Sequence, residues 1–389
     1  MRIIHIMLSN FYYEGYSYQE NLLPQEQAKE GNEIKIIASL ENCADGIIYE
    51  DEEKRYVNEF GIEVVRIRAR NFISKKIGNK LRYFPDALIE IQNFNPDLIF
   101  MHGIQGAVLT KVSKYCEERN IPLFADVHSS FNNSAKKLLS REILHKIIYK
   151  RILQKCIKNI DTIFYLTEEC HEFVTKLYKI DEGKLEYLPL GGFFLDDKEY
   201  LKKRTIFRDT YKIADNQLLI SHTGKLVKEK KTIDLVKAFI KKDDDNQLLY
   251  IGGFIPDSLK DEMMGLINSD SRIKYLGWLN NDEIISLLCA TDLYAQPGTQ
   301  SATMQEAVCL RCNVLLQENK AHKFLLDKIP YYASEEDEIY SVLKSLEKDS
   351  VDFVSRQEKL IKLAEEKLDY KKQSELIIEK AKKSKKEIL

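Results

Sequence analysis

"LLISHTGKLVKEKKTIDLVKAFI", residues 218–240, holds the reading on which the fold depends. It opens on an apolar run short enough for a strand buried on both faces. It passes through a glycine followed by lysines and closes on apolar residues at helical spacing. Strand, loop and helix in that order form half of a βαβ unit. Downstream, "NQLLYIGG" (246–253), "IKYLGW" (273–278), "DLYAQP" (292–297) and "NVLLQE" (313–318) read as further strands. Upstream, the same alternation runs through "RIIHIML" (2–8), a helix in "YQENLLPQEQAKEG", "EIKIIAS" (33–39), "PDLIFMHG" (96–103), a helix from about 106 to 119, "IPLFADVH" (121–128), "NIDTIFYLT" (159–167) and "KLEYLPLGG" (184–192). Strands alternating with helices imply parallel sheets covered on both faces. The expected fold is therefore α/β, with two doubly wound Rossmann-like domains facing each other across a cleft. The boundaries are drawn as 1–192 and 193–369 for the two Rossmann-like domains, and 370–389 for a C-terminal helix crossing back to the first domain. Ligands are expected at the carboxyl ends of the strands.

A length of 389 residues suits two domains, and 44% hydrophobic with 31% charged residues suits a globular chain with a core. A formal charge of −2 offers no general attraction for nucleic acid. No apolar run approaches the roughly 20 residues of a membrane span, and "MRIIHIML" is too short and too strand-like for a signal peptide. Seven cysteines without a framework predict reduced thiols and a cytoplasmic protein. Cys309 and Cys312 in "CLRC" have metal-like spacing, but no second pair completes a site nearby, and buried helix-face cysteines are expected. "DDD" at 243–245 reads as a solvated turn, and no metal is expected.

Residues 136–159 stand apart. Apolar pairs fall at 138/139, 143/144, 147/148, 152/153 and 156/157, read as an amphipathic helix. The other faces carry Lys136, Lys137, Arg141, Lys146, Lys150, Arg151, Lys155 and Lys158 against Glu142 alone. Two readings stay open: a core-packed helix with a solvated basic face, or a surface that meets anionic lipid.

Polar residues at strand ends are the candidate site. His102 and His128 end two strands of the first series, and Gly15 sits in the loop after the first strand. A lone strand-end histidine would ordinarily be a hydrogen-bonded structural residue. In the second series Gly224, Lys225 and Lys230 follow a strand. A glycine there lets a phosphate approach the backbone, and two lysines neutralise a diphosphate. Glu306 lies near the start of a helix beginning at Thr303. A carboxylate accepting from two vicinal hydroxyls holds a ribose, so lysines and carboxylate together describe a nucleotide-diphosphate pocket. The competing reading for Glu306 is an acid favoured by the helix dipole.

"HTGKLVKEKKTIDLVKAF", "IKYLGWLNNDEIISLLCATDLYAQP" and "MQEAVCLRCNVLL", with "PDLIFMHG" and "IPLFADVHSS" in the first half, resemble the retaining GT-B glycosyltransferases of family 4 that build bacterial capsules and lipopolysaccharides. The resemblance covers nearly the whole chain. It implies that Lys225 and Lys230 contact a donor diphosphate, that Glu306 is the second glutamate of the family's E-x7-E motif and holds the ribose, and that His128 touches the donor sugar. It also implies that "LPLGG", with Gly191 and Gly192, is an interdomain hinge. One departure is plain: the first glutamate of E-x7-E should stand at 298, which is Gly298. Thr299, Gln300, Ser301 and Ala302 would stand in for it. The implied activity is transfer of a hexosyl or N-acetylhexosaminyl group, with retention, from a UDP-linked sugar to a growing glycan or lipid-linked acceptor at the inner face of the cell membrane. Two rivals are an epimerase, which needs carboxylates flanking the sugar, and a non-catalytic nucleotide-sugar-binding or scaffold partner, which the missing glutamate favours.

Overall fold

A computed structural model describes every residue except 17, 45–46, 71–79, 132, 136, 138–139, 243, 300 and 388–389. It divides into two compact units, Met1–Pro189 with Tyr370–Leu389, and Leu190–Asp369.

The first unit holds β1 (Arg2–Met7), β2 (Glu33–Ala38), β3 (Glu41–Ala44), β4 (Ile47–Glu50), β5 (Lys54–Val57), β6 (Glu63–Arg66), β7 (Leu98–Met101), β8 (Leu123–Val127), β9 (Thr162–Tyr165) and β10 (Leu185–Tyr187). Eight of them form one sheet in the order β10-β9-β8-β7-β1-β2-β6-β5, parallel except for β5 against β6. β3 and β4 form a separate hairpin. β1 and β7 read as unbroken apolar runs because both faces are covered: Ile3, Ile4, Ile6, Leu98, Ile99 and Phe100 are wholly buried. The sequence does not predict the strands from β3 to β6. β5, with alternating burial, and the short hairpin lack that continuous apolar signature. Helix Tyr370–Glu387 belongs to this unit: Gln373 Nε2 donates to Pro189 O at 2.9 Å, Ser374 Oγ to Glu30 at 2.6 Å, and Lys380 pairs with Glu186 at 2.6 Å.

The second unit holds β11 (Leu218–Lys225), β12 (Gln247–Phe254), β13 (Ile273–Gly277), β14 (Leu293–Gln296), β15 (Asn313–Leu316) and β16 (Tyr331–Tyr332), all parallel, in the order β13-β12-β11-β14-β15-β16. At their amino ends, buried Asp292 fixes helix Asp197–Tyr211 to the sheet. One carboxylate oxygen accepts from Leu219 N at 2.8 Å, and the group pairs with Arg204 at 2.7 Å and Arg208 at 3.3 Å. The carboxyl ends are left for function. Crossovers reverse direction at β1/β7 in the first sheet and at β11/β14 in the second, and at such points a crevice opens beyond the strand ends.

Residues 140–159 differ from the amphipathic α-helix expected. Ser140–Tyr149 is a π-helix, continuing into helix Lys150–Cys156 and a 3-10 turn, Ile157–Asn159. Of the described apolar pairs, 143/144 and 147/148 lie in the π-helix, 152/153 in the α-helix, and 156/157 at the step into the 3-10 turn. The pair 138/139 and Lys136 lie outside the described residues. Among those described, Tyr149, Leu153 and Cys156 face the core, while Ile143 and Ile147 are exposed at 47% and 43%. No helix among the described residues is long and apolar enough to cross a membrane.

Candidate active site

In the second unit the expected residues gather beyond β11 and β14. β11 ends at Gly224 and Lys225 and turns through a short 3-10 segment, Lys228–Lys230, into helix Thr232–Lys241. Gly224 has φ +132°, and its carbonyl lies where a Cβ on neighbouring Gly253 would be, at 1.8 Å. The two strand ends therefore touch backbone to backbone. Lys225 is exposed, whereas Lys230 is half-buried and burial lowers its pKa. Lys230 Nζ donates to Thr299 O at 2.8 Å, and Thr299 N donates to Glu229 O at 3.0 Å. Gln296 Nε2 also donates to Thr299 O, at 2.8 Å. The lysine turn and the loop after β14 are thus laced together. His222, on β11, is a structural histidine: Nδ1 meets Ala295 O at 2.7 Å and Nε2 meets Thr232 Oγ1 at 2.9 Å, joining β11, β14 and the helix start.

Gly298 sits inside that lacing. A Cβ there would stand 2.1 Å from Glu229 O and 2.6 Å from Lys230 Cα. A side chain at 298 therefore meets the lysine turn of the protein itself before any ligand. Of the residues expected to replace the missing glutamate, Thr299 is engaged through its backbone, and Ser301 and Ala302 are half-buried at the start of helix Thr303–Cys309. Ser301 Oγ lies 3.1 Å from Thr303 Oγ1. Gln300 lies outside the described residues. Glu306 is 7% exposed on the inner side of that helix. Beside it is Tyr294, which the sequence reading missed. Its hydroxyl lies 3.3 Å from Thr223 Oγ1, and burial, with Glu306's charge adding to it, pushes its pKa up to about 12.

Gly192 is a packing glycine. A Cβ on it would lie 3.0 Å from Glu306 Cα and 2.9 Å from Cys309 Sγ, and its N–H donates to Leu368 O at 3.1 Å. Cys309 and Cys312 are buried thiols whose pKa values burial raises, and all seven cysteines are free and buried. Asp244 caps its own turn, accepting from Asn246 N at 3.0 Å, and pairs with Lys242 at 3.1 Å.

In the first unit, His102 and His128 prove to be neighbours through a carboxylate that the sequence reading passed over. Asp126, wholly buried near the end of β8, meets His102 Nδ1 at 2.8 Å, His128 Nε2 at 3.3 Å and Gly103 N at 2.8 Å. His102 Nε2 in turn lies 3.0 Å from His5 Nδ1, and His5 Nε2 lies 2.7 Å from Gln27 Oε1. Glu20 closes the other side, 3.7 Å from His128 Nε2. Glu20, His102 and His128 bring ligand-type atoms within 4.8 Å of one another. His102 Nδ1 faces Asp126 and Nε2 faces His5, so the group reads as a chain of paired rings and carboxylates. Gly15, with φ +76° and open space where a Cβ would point, lies in the loop after β1. A pocket of about 490 Å³ opens beyond β1, β2 and β6, lined by Leu8, Phe11, Ile48, Phe84, Arg68 and Arg82 among others.

Gly298→Ala, with an ordinary φ and no room for a methyl, should cost about 1–3 kcal/mol as overpacking does. Chemical denaturation checks this. A variant as stable as the parent would show that the lysine turn is not packed on residue 298.

Residues 23–191 match the model of Glycosyltransferase Family 4. Among solved structures, HepE of Anabaena, crystallised with UDP, aligns over 97% of this chain and 99% of its own at 15% identity and TM-score 0.67. The sucrose-phosphate synthase of Thermosynechococcus elongatus aligns over 97% and 98% at 10% identity and TM-score 0.66. WaaG, a glycosyltransferase involved in lipopolysaccharide biosynthesis, aligns over 96% and 99% at 14% identity and TM-score 0.57. No curated protein matches the sequence. Two Rossmann-like units with parallel sheets, matched along their whole length by such structures, are the GT-B glycosyltransferase fold, and within it residues 23–191 are similar to Glycosyltransferase Family 4.

Proposed function

We propose that this protein is a retaining glycosyltransferase that moves a hexosyl or N-acetylhexosaminyl group from a UDP-linked donor to a growing glycan or lipid-linked acceptor in surface-polysaccharide synthesis. The observation that carries the reading is the bond from Lys230 Nζ to Thr299 O. It holds the lysine turn beside the loop that leads into Glu306's helix, at the switch point where nucleotides bind in this class of sheet. Lys225 and Lys230 are assigned to the donor diphosphate, Gly224 to its close approach, and Glu306 to the ribose. Thr299, Ser301 and Ala302 offer backbone and hydroxyl groups to the sugar, and His128 of the first unit is assigned to the sugar as well. HepE's bound UDP supports the base assignment by analogy of fold alone.

The chemistry asked of these residues is electrostatic. As the sugar–phosphate bond breaks, negative charge grows on the leaving diphosphate, and fixed cations there stabilise the transition state more than the ground state. The acceptor hydroxyl enters on the face the phosphate leaves, and its proton goes to a leaving phosphate oxygen, so no carboxylate base is required. Gly298 supports a second reading, a non-catalytic nucleotide-sugar-binding partner, because no carboxylate can stand there. Lys225→Ala separates the two. The Lys225 side chain is exposed, so the fold should survive its loss. Turnover of donor, followed as release of nucleoside diphosphate, should fall by about 10² or more. Release by the variant at more than half the parent's rate, or none by either protein, would overturn the catalytic assignment.

We assign the acceptor to the first unit, with its apolar and arginine-lined pocket, and membrane contact to the π-helix region. Exposed Ile143 and Ile147 lie there among Arg141, Lys146, Lys150, Arg151 and Lys155, a composition that suits shallow insertion between anionic headgroups. Sedimentation with vesicles should rise with acidic lipid content and fall with salt. It should weaken in an Ile143→Asp, Ile147→Asp double variant. Equal binding to neutral and acidic vesicles, or none, would leave this face as a solvated helix surface.

A further inference from the structure

We infer that Asp126 is a positioning residue that keeps His128 charged and oriented, and that the buried chain Gln27–His5–His102 exists to hold Asp126 in place. Because it says what His128 does for the donor, this inference rests on the glycosyl-transfer reading.

Proton accounting assigns the role of each ring. His5, His102 and Asp126 are wholly buried, and Phe100, also wholly buried, packs near both rings, with centroids 5.6 and 4.9 Å away. Buried polar groups in such a place need partners throughout. For His102 Nδ1 to donate to the Asp126 carboxylate, its Nε2 in the neutral ring must be bare. It then accepts from His5 Nδ1–H, which leaves His5 Nε2 bare and in need of a donor. Gln27 Oε1 faces that nitrogen at 2.7 Å, and turning the amide end over, an orientation that the network sets, brings its NH2 group there and supplies the donor. His5 is held neutral, its pKa lowered to about 3 chiefly by burial. The chain so assigned has every donor pointing toward Asp126, and each ring carries one proton and no charge.

That assignment leaves the carboxylate's charge unbalanced on the histidine-chain side. A buried carboxylate without a counter-ion is strongly unfavourable, and the cationic group within reach is His128, 3.3 Å away. The charged and titratable groups facing His128 are Asp126 from its own strand and Glu20 from helix Gln19–Lys29, with His102 behind Asp126. Asn10 Nδ2 donates to Glu20 at 3.2 Å and steadies it. Burial acts to lower the His128 pKa, but the charges of Asp126 and then Glu20 outweigh it and raise it to about 9. Correspondingly, the Asp126 carboxyl is held well below its usual range despite burial, chiefly by His128. The local backbone fits the same purpose. Gly103, at φ +90°, gives its N–H to Asp126, and a Cβ there would stand 2.8 Å from Ser9 Cβ, so no other residue delivers that third contact without displacement. His128 remains a quarter exposed, the one member of the chain with a face left for a ligand.

An imidazolium held this way donates from both nitrogens at neutral pH and presents positive charge where a neutral histidine would present a donor and a bare acceptor. The ligand chemistry it suits is an oxygen that is anionic or becomes so, not a hydroxyl needing an acceptor.

The test is the titration of His128 itself, followed by the imidazole nitrogen resonances of the full chain. In the parent, His128 should titrate about two units above an ordinary histidine, and Asp126→Asn should bring it down by about that much. Glu20→Gln, a milder change, should produce a smaller shift in the same direction, and serves if Asp126→Asn does not fold. The rate should follow: kcat/KM of the parent should hold through neutrality and fall as pH rises toward 9, while in Asp126→Asn it should fall near pH 7. A role confined to stability would lower the melting temperature and leave the His128 titration where it was. A parent His128 that titrates near 6.5, or one unmoved in both variants, overturns the inference. Because the titration needs no donor or acceptor, that outcome is separate from failure to find transferase activity.

Discussion

Parallel strands whose crossovers leave in opposite directions cannot be covered at the point of reversal. The loops on either side diverge, and backbone groups at the strand ends are left to face whatever enters. Both sheets of this protein reverse next to the first strand of their series, β1/β7 and β11/β14. The placement of the polar groups follows from that constraint. Gly224 and the lysine turn end β11, Gly298 follows β14, His102 follows β7 and Asp126 lies near the end of β8. At the opposite, amino ends, buried groups such as Asp292 are saturated by arginines and backbone and have nothing left to bind with.

The two halves use buried charge differently. In the second unit a cation is kept short of full solvation: Lys230 is half-buried and donates to a backbone carbonyl, and burial lowers its pKa. A cation already stripped of part of its water gives up less hydration when a diphosphate arrives. In the first unit a carboxylate is fully withdrawn and drives a neighbouring histidine toward its cationic form. Each unit thus carries a cationic group near its strand ends, one a lysine and the other an imidazole.

Much of this is legible in the sequence. The strand–glycine–lysine order at 218–230 and helix 232–241 stand where the periodicity puts them, and His102 and His128 do end adjacent strands. What stays hidden has physical causes. Asp126 looks like one more strand residue because its neighbours, His5, His102 and Glu20, come from 24 to 121 positions away and only the sheet register brings them together. The π-helix has no separate signature, because the two apolar pairs inside it, 143/144 and 147/148, are four residues apart as in an ordinary helix. Gly298 reads, from the sequence, as the place of a missing glutamate; the turn from Glu229 to Lys230 already fills the space a side chain there would need.

If a nucleotide diphosphate sugar is held by the lysine turn and Glu306, as the central claim requires, it stabilises the folded chain. Thermal unfolding across a panel of nucleotide sugars tests this most directly, since only a ligand of the native state raises the melting temperature. The account predicts that one UDP-linked sugar raises it, that UDP alone retains most of the shift, and that free sugar gives none. Glu306→Gln should reduce the shift, as loss of a charge-assisted bond worth about 1.5–3 kcal/mol requires. Failure of every nucleotide sugar at millimolar concentration, or an undiminished shift in Glu306→Gln, would contradict it.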